Sequence, residues 1–302
     1  MKSGIINVYK EAGFTSFDVV AKLRGILGIK KIGHTGTLDP DATGVLPICI
    51  GKATKICDFL TDRDKTYKAV MRLGIVTDTQ DMSGNILSEK EVDVSETGLL
   101  EAINSFVGDI LQIPPMYSAL KVNGQKLVDL ARKGQVIERK PRPITIHEIN
   151  VIDISLPFVT MEVSCSKGTY IRTLCNDIGE KLNCGAAMDS LVRVRAAGFE
   201  IDDALKLSEI ESLRDQGTLE DYILGIDEAL DEYPSVKALD KCSKILANGG
   251  SVLIEDTDYK TDIHLQIDDG QLVRMYMADG TFVGVYEKKE TAFKPNKMFL
   301  EA

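Results

Sequence analysis

Thiol and imidazole groups are too few and too scattered in this chain to build a metal site or a disulfide framework. The six cysteines (49, 57, 165, 175, 184 and 242) form no CxxC pair, and only three histidines (34, 147 and 264) could complete a ligand set. Structural zinc needs closely spaced thiolates or imidazoles. Dense disulfides belong to small secreted domains. The cysteines therefore read as small buried hydrophobes in a reducing compartment. Long apolar runs are missing too. The longest, Val45 to Ile50, is broken by Pro47 and falls far short of the ~20 residues that cross a bilayer. Met1 to Ile5 carries no hydrophobic signal core, so a cytoplasmic location and no membrane partner are expected. The phosphate-cradling motifs GxxxxGK[ST] and GxGxxG and the GxSxG nucleophile elbow are absent, which removes those nucleotide-binding and hydrolase classes.

What is present is a chain of 302 residues, 44% hydrophobic. That length accommodates one large domain and a small appendage. The formal net charge is −10, which at first argues against a nucleic-acid partner. The distribution reverses this. Residues 200–232 hold twelve acids against two bases, enough to account for the whole net charge. Residues 121–142 hold seven bases (Lys121, Lys126, Arg132, Lys133, Arg139, Lys140 and Arg142) against Asp129 and Glu138. Charge is segregated along the chain, and the basic block reads either as a phosphate-contacting surface or as a solvated lysine-rich loop.

Hydrophobic periodicity outlines the elements. Ile5–Tyr9 predicts a strand. Thr15-Ser16-Phe17-Asp18 reads as a capping box opening a helix on which Phe17, Val20, Ala21 and Leu27 recur. Residues 33–47, rich in Gly, Thr, Asp and Pro, predict a structured loop. Tyr67, Ala69, Met71 and Leu73 alternate on one strand face. Residues 95–107 predict a helix, and 144–154 and 158–165 predict strands. Ile171, Leu174, Ile178 and Leu182 predict another helix, with Gly185 at its C-cap. The acidic segment predicts a helix with a Ser208–Glu211 capping box. Past Tyr233-Pro234-Ser235, short alternating runs split by Gly249-Gly250, Asp269-Gly270, Asp279-Gly280 and Gly284 predict hairpins of a small β-barrel. The fold class expected is α+β: a mixed, largely antiparallel sheet with flanking helices over 1–234, plus a small C-terminal barrel over 235–302.

The densest chemistry lies in Gly33-His34-Thr35-Gly36-Thr37-Leu38-Asp39-Pro40-Asp41-Ala42-Thr43-Gly44-Val45-Leu46-Pro47. Glycines and prolines fix the path of a loop that carries a histidine and two carboxylates. By itself the segment is equally an ordinary Asx-turn loop. Elsewhere Tyr67 reads as a cross-strand aromatic, Arg172 as a first-turn helix residue, Leu191 as core, and His34 as a hydrogen-bonded loop side chain.

The blocks of the chain in order, however, resemble the bacterial tRNA pseudouridine-55 synthase family. His34 to Leu46 matches H-T-G-x-L-D-P-x-A-T-G-x-L without a gap. Gly13-Phe14-Thr15-Ser16 matches G-x-T-S, Asp64-Lys65-Thr66-Tyr67 matches D-K-x-Y, and Thr77 to Asp81 with Gly84 matches T-D-T-x-D-x-x-G. Gln112 to Lys121 matches Q-x-P-P-x-Y-S-A-x-K, Cys165 to Arg172 matches C-S-K-G-T-Y-I-R, and Leu191 and Arg193 with Gly198-Phe199 complete the series. Two positions depart from the pattern: Glu11 follows Lys10 where proline is usual, and Leu127 stands where an aromatic is usual.

The resemblance implies a stand-alone uridine isomerase acting on the T-arm of tRNA, with a PUA-like C-terminal domain and without cofactor or metal. It implies Asp39 as catalytic nucleophile, Arg172 as its ionic partner, and Tyr67 stacked on an extruded uracil and placed to remove the C5 proton. Leu191 would pack on the other side of the base and Tyr170 would close the pocket. His34 would fill the space the base vacates, and Lys10, Lys121, Arg139 and Arg142 would contact the RNA. A monomer is expected. Two other readings share these features: a tRNA-folding chaperone with an incidental pocket, and a guide-RNA-dependent rRNA pseudouridine synthase of the same superfamily.

Overall fold

The computed structural model describes residues 2–122, 124–260 and 266–300, so His264 lies outside the described residues. In chain order the elements begin with β1 (Gly4–Lys10), α1 (Ser16–Leu27), β2 (Ile32–His34), β3 (Thr43–Ile50), α2 (Cys57–Thr61) and β4 (Lys65–Leu73). Next come β5 (Ile75–Thr77), β6 (Ile86–Glu89), α3 (Glu96–Asn104), β7 (Gly108–Gln112), β8 (Lys121–Val122), β9 (Gln125–Lys126) and α4 (Leu127–Ala131). Then follow β10 (Arg142–Ser155), β11 (Phe158–Cys165), α5 (Ile171–Lys181), β12 (Ala186–Ala196), β13 (Phe199–Glu200), α6 (Leu207–Gln216) and β14 (Ile223–Leu224). The last are β15 (Ser235–Lys237), α7 (Ser243–Ala247), β16 (Val252–Leu253), β17 (Leu272–Tyr276), β18 (Phe282–Lys289) and β19 (Ala292–Met298). Among the described residues no helix is long and apolar enough to cross a membrane.

The chain divides into two compact units, one of Asn7–Ile48 with Ile56–Gln216, the other of Met1–Ile6, Cys49–Lys55 and Gly217–Ala302. The first is built on a mixed sheet in the order β1-β3-β12-β4-β11-β10-β7. Its long ladders, β12–β4, β4–β11, β11–β10 and β10–β7, are antiparallel, and β3–β12 is parallel. The alternation read from Tyr67 to Leu73 places Ala69, Met71 and Leu73 in the core with Val159, Met161 and Val163 of β11. Ile171, Leu174, Cys175 and Ile178 of α5 and Leu99 and Ile103 of α3 cover that face. Each such side chain contributes ~1.5–3 kcal/mol when fully buried. In the second unit, β15-β17-β18-β19-β16 form a curled half-barrel around Val236, Leu246, Val273, Met275, Tyr286 and Phe293.

Several local expectations need correcting. Phe17 is 72% exposed, because the helix opened by Thr15 packs through Val19, Val20 and Leu23. The loop predicted over 33–47 is shorter, since β3 starts at Thr43. Just past α5 the first left-handed residue is Asn183 (φ 60°); Gly185, also left-handed (φ 78°), lies two residues further on, where an added side chain would strike Val76. The acidic segment is one ten-residue helix among 3₁₀ turns. Its start is capped by the Lys206 N–H donating to Glu209 (2.7 Å) rather than by Ser208. Gly249-Gly250 ends α7 and makes no hairpin. Gly284 lies inside β18, where a Cβ would sit 2.2 Å from the Lys297 carbonyl oxygen.

Candidate active site

The loop between β2 and β3 is held from three sides. Ser16 Oγ accepts the Leu38 N–H at 2.9 Å, and the Gly13 N–H donates to the Pro40 carbonyl at 3.0 Å. Lys10 is fully buried, and its ammonium donates to the carbonyls of Ala42 (2.6 Å), Pro40 (3.0 Å) and Glu11 (3.2 Å). All three of its protons are used, so Lys10 is a clamp under the loop and not the RNA contact expected from the sequence. Burial pulls its pKa down to about 8 against the opposing pull of Asp39 and Asp41. At the Glu11 departure the clamp uses only the backbone carbonyl, which proline would supply as well. An Asp39-to-Ala42 turn, closed by the Ala42 N–H on the Asp39 carbonyl at 3.1 Å, presents the Asp39 side chain.

Arg172, in the first turn of α5, reaches that side chain: Nη2 lies 2.8 Å from Asp39 Oδ2. Its Nη1 donates to Asp81 Oδ2 at 3.2 Å. The arginine is buried between the two carboxylates. Asp81 is itself fixed, because its Oδ1 accepts from Thr79 Oγ1 (2.7 Å) and the Ser83 N–H (3.1 Å). The motif T-D-T-x-D-x-x-G thus builds a rigid acceptor; at Gly84 a Cβ would meet Asp78 Oδ1 and Thr79 Oγ1 at 2.3 Å. Burial pushes the Asp39 carboxyl above the ordinary range, Arg172 opposes this, and Asp81 adds to it. Sequence reading matched Asp81 within the T-D-T-x-D-x-x-G block but gave it no role, because the carboxylate meets Arg172 only through tertiary folding.

Tyr67 and Leu191 are both half-buried and lean on the core cluster from neighbouring strands. Burial raises the Tyr67 phenol, and the Arg193 guanidinium beside it pulls the other way. Tyr170 precedes α5 and is anchored by Gln112, whose buried amide accepts the Tyr170 N–H (2.8 Å) and donates to its carbonyl (3.1 Å). His34 accepts the Gly36 N–H on Nδ1 at 3.3 Å, and burial lowers its pKa, favouring the neutral imidazole. The exposed Phe17 ring stands edge-on to His34 with centroids 5.2 Å apart.

The basic block is less uniform. Lys121, Lys140 and Arg142 are exposed. Arg139 is half-buried and donates Nη1 to the Pro114 carbonyl at 3.0 Å, which ties down the Pro114-Pro115 segment. Leu127 is fully buried with Met116 and Leu130, so an aliphatic side chain fills the position where the family pattern has an aromatic. Among the described residues no three His, Cys, Asp or Glu side chains gather as metal ligands would.

At Gly44, φ is +105° and an added Cβ would lie 2.2 Å from the Arg193 carbonyl oxygen. Gly44→Ala is expected to lose ~2–5 kcal/mol, combining backbone strain with overpacking. Urea denaturation measures this, and a loss below ~1 kcal/mol would show that β3 can move away from β12.

On this α+β scaffold a constrained loop offers a half-exposed carboxylate, Asp39, to the buried Arg172, with Tyr67 and Leu191 on strands of the same sheet. Residues 24–171 match the TruB family pseudouridylate synthase N-terminal domain, and residues 172–231 match the tRNA pseudouridylate synthase B C-terminal domain. The chain belongs to the TruB family of pseudouridylate synthases. It is 48% identical over 298 residues to the tRNA pseudouridine synthase B of Clostridium novyi, covering 99% of this chain and 100% of the relative. It is 51% identical over 310 residues to that of Lachnoclostridium phytofermentans, with the same coverages. Among solved structures it resembles a chain of a Cbf5-Nop10-Gar1 complex, with TM-score 0.76, 27% identity, and coverage of 98% of this chain and 85% of that one.

Proposed function

We propose that the protein isomerises a uridine of the tRNA T-loop, at position 55, to pseudouridine, with Asp39 as the catalytic carboxylate. The observation that carries this reading is the Asp39–Arg172 contact of 2.8 Å on a clamped loop beside Tyr67 and Leu191. The reaction breaks C1′–N1, turns the uracil and forms C1′–C5; the C5 proton leaves to solvent or a neighbouring base, and N1 takes up a proton in return. The product is an isomer of the substrate. Asp39 starts it by attack on the sugar or base or by removing a sugar proton. The uridine reaches Asp39 only after leaving its stack. Tyr67 then stacks on the base and stands near C5, Leu191 covers the other side, Tyr170 bounds the pocket and His34 takes the vacated space. Residues 235–302 would add RNA contacts, and the protein would act as a monomer. Mapping pseudouridine by mass spectrometry in tRNA incubated with and without the protein tests the reading; a modified base outside the T-loop would redirect it.

The guide-RNA-dependent alternative gains little. The likeness to the Cbf5-containing complex is at 27% identity, whereas relatives named for tRNA modification reach 48–51% over nearly the whole chain. The exposed part of the basic block is proposed to track phosphates. Replacing Lys140 and Arg142 together by Ala should flatten the slope of log K against log salt by up to ~0.7–0.9 per lost contact. All tRNAs should weaken alike. An unchanged slope would make these residues a solvated loop. Arg139→Ala should instead act through the Pro114 segment, with a smaller change in slope.

A further inference from the structure

Arg193 was matched in the last sequence block but given no role. The structure buries it almost completely, at 1% exposure. Strand pairing explains its position. On one side Arg193 stands opposite Tyr67 in the antiparallel β12–β4 ladder; on the other it stands opposite Gly44 in the parallel β12–β3 ladder. It therefore lies between the strand that leaves the Asp39 loop and the strand that carries Tyr67. Its Nε donates to the Val45 carbonyl at 2.7 Å, just past that loop. Its Nη2 is buried with no hydrogen-bond partner. An unpaired buried donor carries its full desolvation penalty. A structural arginine that served only to cap Val45 could be replaced by a shorter side chain at no such cost. Directly opposed residues in a ladder present their side chains on the same face, so the guanidinium is held against the Tyr67 side.

We propose that Arg193 is a positioning residue of the isomerisation: through its contact with Val45 and its place opposite Tyr67, it fixes the Tyr67 hydroxyl relative to the Asp39 loop. The inference rests on the reading of Tyr67 given above. It differs from the role of Arg172, which touches Asp39 itself. The guanidinium beside the phenol also explains why Tyr67 feels a downward pull against burial. In this proposal Arg193 acts on the reaction through Tyr67 and the loop.

The test is a double-mutant cycle in the full-length protein with tRNA, using Tyr67→Phe, Arg193→Met and the pair. Single-turnover rates, filter binding and thermal unfolding are measured for each. Arg193→Met is expected to slow single turnover ~10–100-fold, while Kd changes less than ~3-fold. In the Tyr67→Phe background the same change should cost less than ~3-fold, since the hydroxyl it positions is gone. Arg193→Lys, which keeps a cation but no fork, should recover part of the rate, and it replaces Arg193→Met in the cycle if the latter fails to fold. Equal costs in both backgrounds would overturn the proposal, as would a lowered melting temperature with unchanged turnover. Those outcomes leave the functional reading intact; absence of pseudouridine with the unaltered protein would sink that reading instead.

Discussion

Asp39→Asn is expected to reduce single-turnover pseudouridine formation by ~10⁴-fold or more, a barrier increase of at least ~5.5 kcal/mol. Binding of tRNA should be retained. The substitution is nearly isosteric, and the turn closed by the Asp39 carbonyl and the Ala42 N–H uses backbone atoms alone. The loop is further held by Ser16 and Lys10 through Leu38 and the carbonyls of Pro40 and Ala42. Asparagine can therefore keep the shape while losing the charge. If Asp39 served only the turn, asparagine would do almost as well, and a rate within about tenfold of the unaltered protein would falsify the mechanism. The chaperone reading is decided by the same pair of measurements, since it requires no carboxylate. Affinity should be unchanged or slightly tighter, because a negative charge facing phosphates has been removed.

Arg172→Lys should lower turnover ~10²–10³-fold and move the acid limb of the pH–rate profile upward. The arginine spans two carboxylates, 2.8 Å from Asp39 and 3.2 Å from Asp81. A lysine is a point charge without the planar fork that reaches both. The sign follows from which form reacts. Turnover needs ionised Asp39, so activity is lost as pH falls through its folded-state pKa. That pKa already lies above the ordinary carboxylate range through burial, with Arg172 the leading opposing influence. Weakening the opposition raises it further, so the variant should regain part of its rate as the pH is raised from acid towards neutral and beyond. Single-turnover rates over that range test this; an acid limb that stays in place would mean that Asp39 ionisation is not governed by Arg172. Complete removal of the cation, as in Arg172→Met, should in addition destabilise the fold by ~1–3 kcal/mol, mainly because Asp81 Oδ2 in its partly buried setting loses its cation.

The strands of the first unit were legible because their side chains alternate, and a period of two survives any tertiary context that buries one face. Tyr67 to Leu73 and Phe158 to Cys165 are strands over those residues. The Thr15 cap was equally legible, since a capping box is a contact within four residues, and both of its hydrogen bonds form. Phe17 was misread for the complementary reason. Periodicity supplies a face but not the neighbour that covers it, and the neighbour of α1 takes Val19, Val20 and Leu23 instead. Caps drawn from composition, at Ser208 and Gly185, failed by one or two positions, because the exact first and last turns depend on packing.

For the candidate site, the identity and order of the blocks were in the sequence: a carboxylate on a glycine-rich loop, a strand tyrosine, an arginine at a helix start. Their convergence was not. Asp39 and Arg172 lie far apart in the chain and meet because β3 and α5 sit on one sheet. Asp81 joins them from a separate hairpin loop. Lys10 looked like a surface cation and is a buried clamp. Arg193 was only a match in the last sequence block and is the link between two ladders. Local chemistry is written residue by residue and can be read that way. Which charges are buried, which donors are spent on carbonyls and which carboxylates share a cation depend on distances between segments remote in sequence, and only the closed sheet decides those.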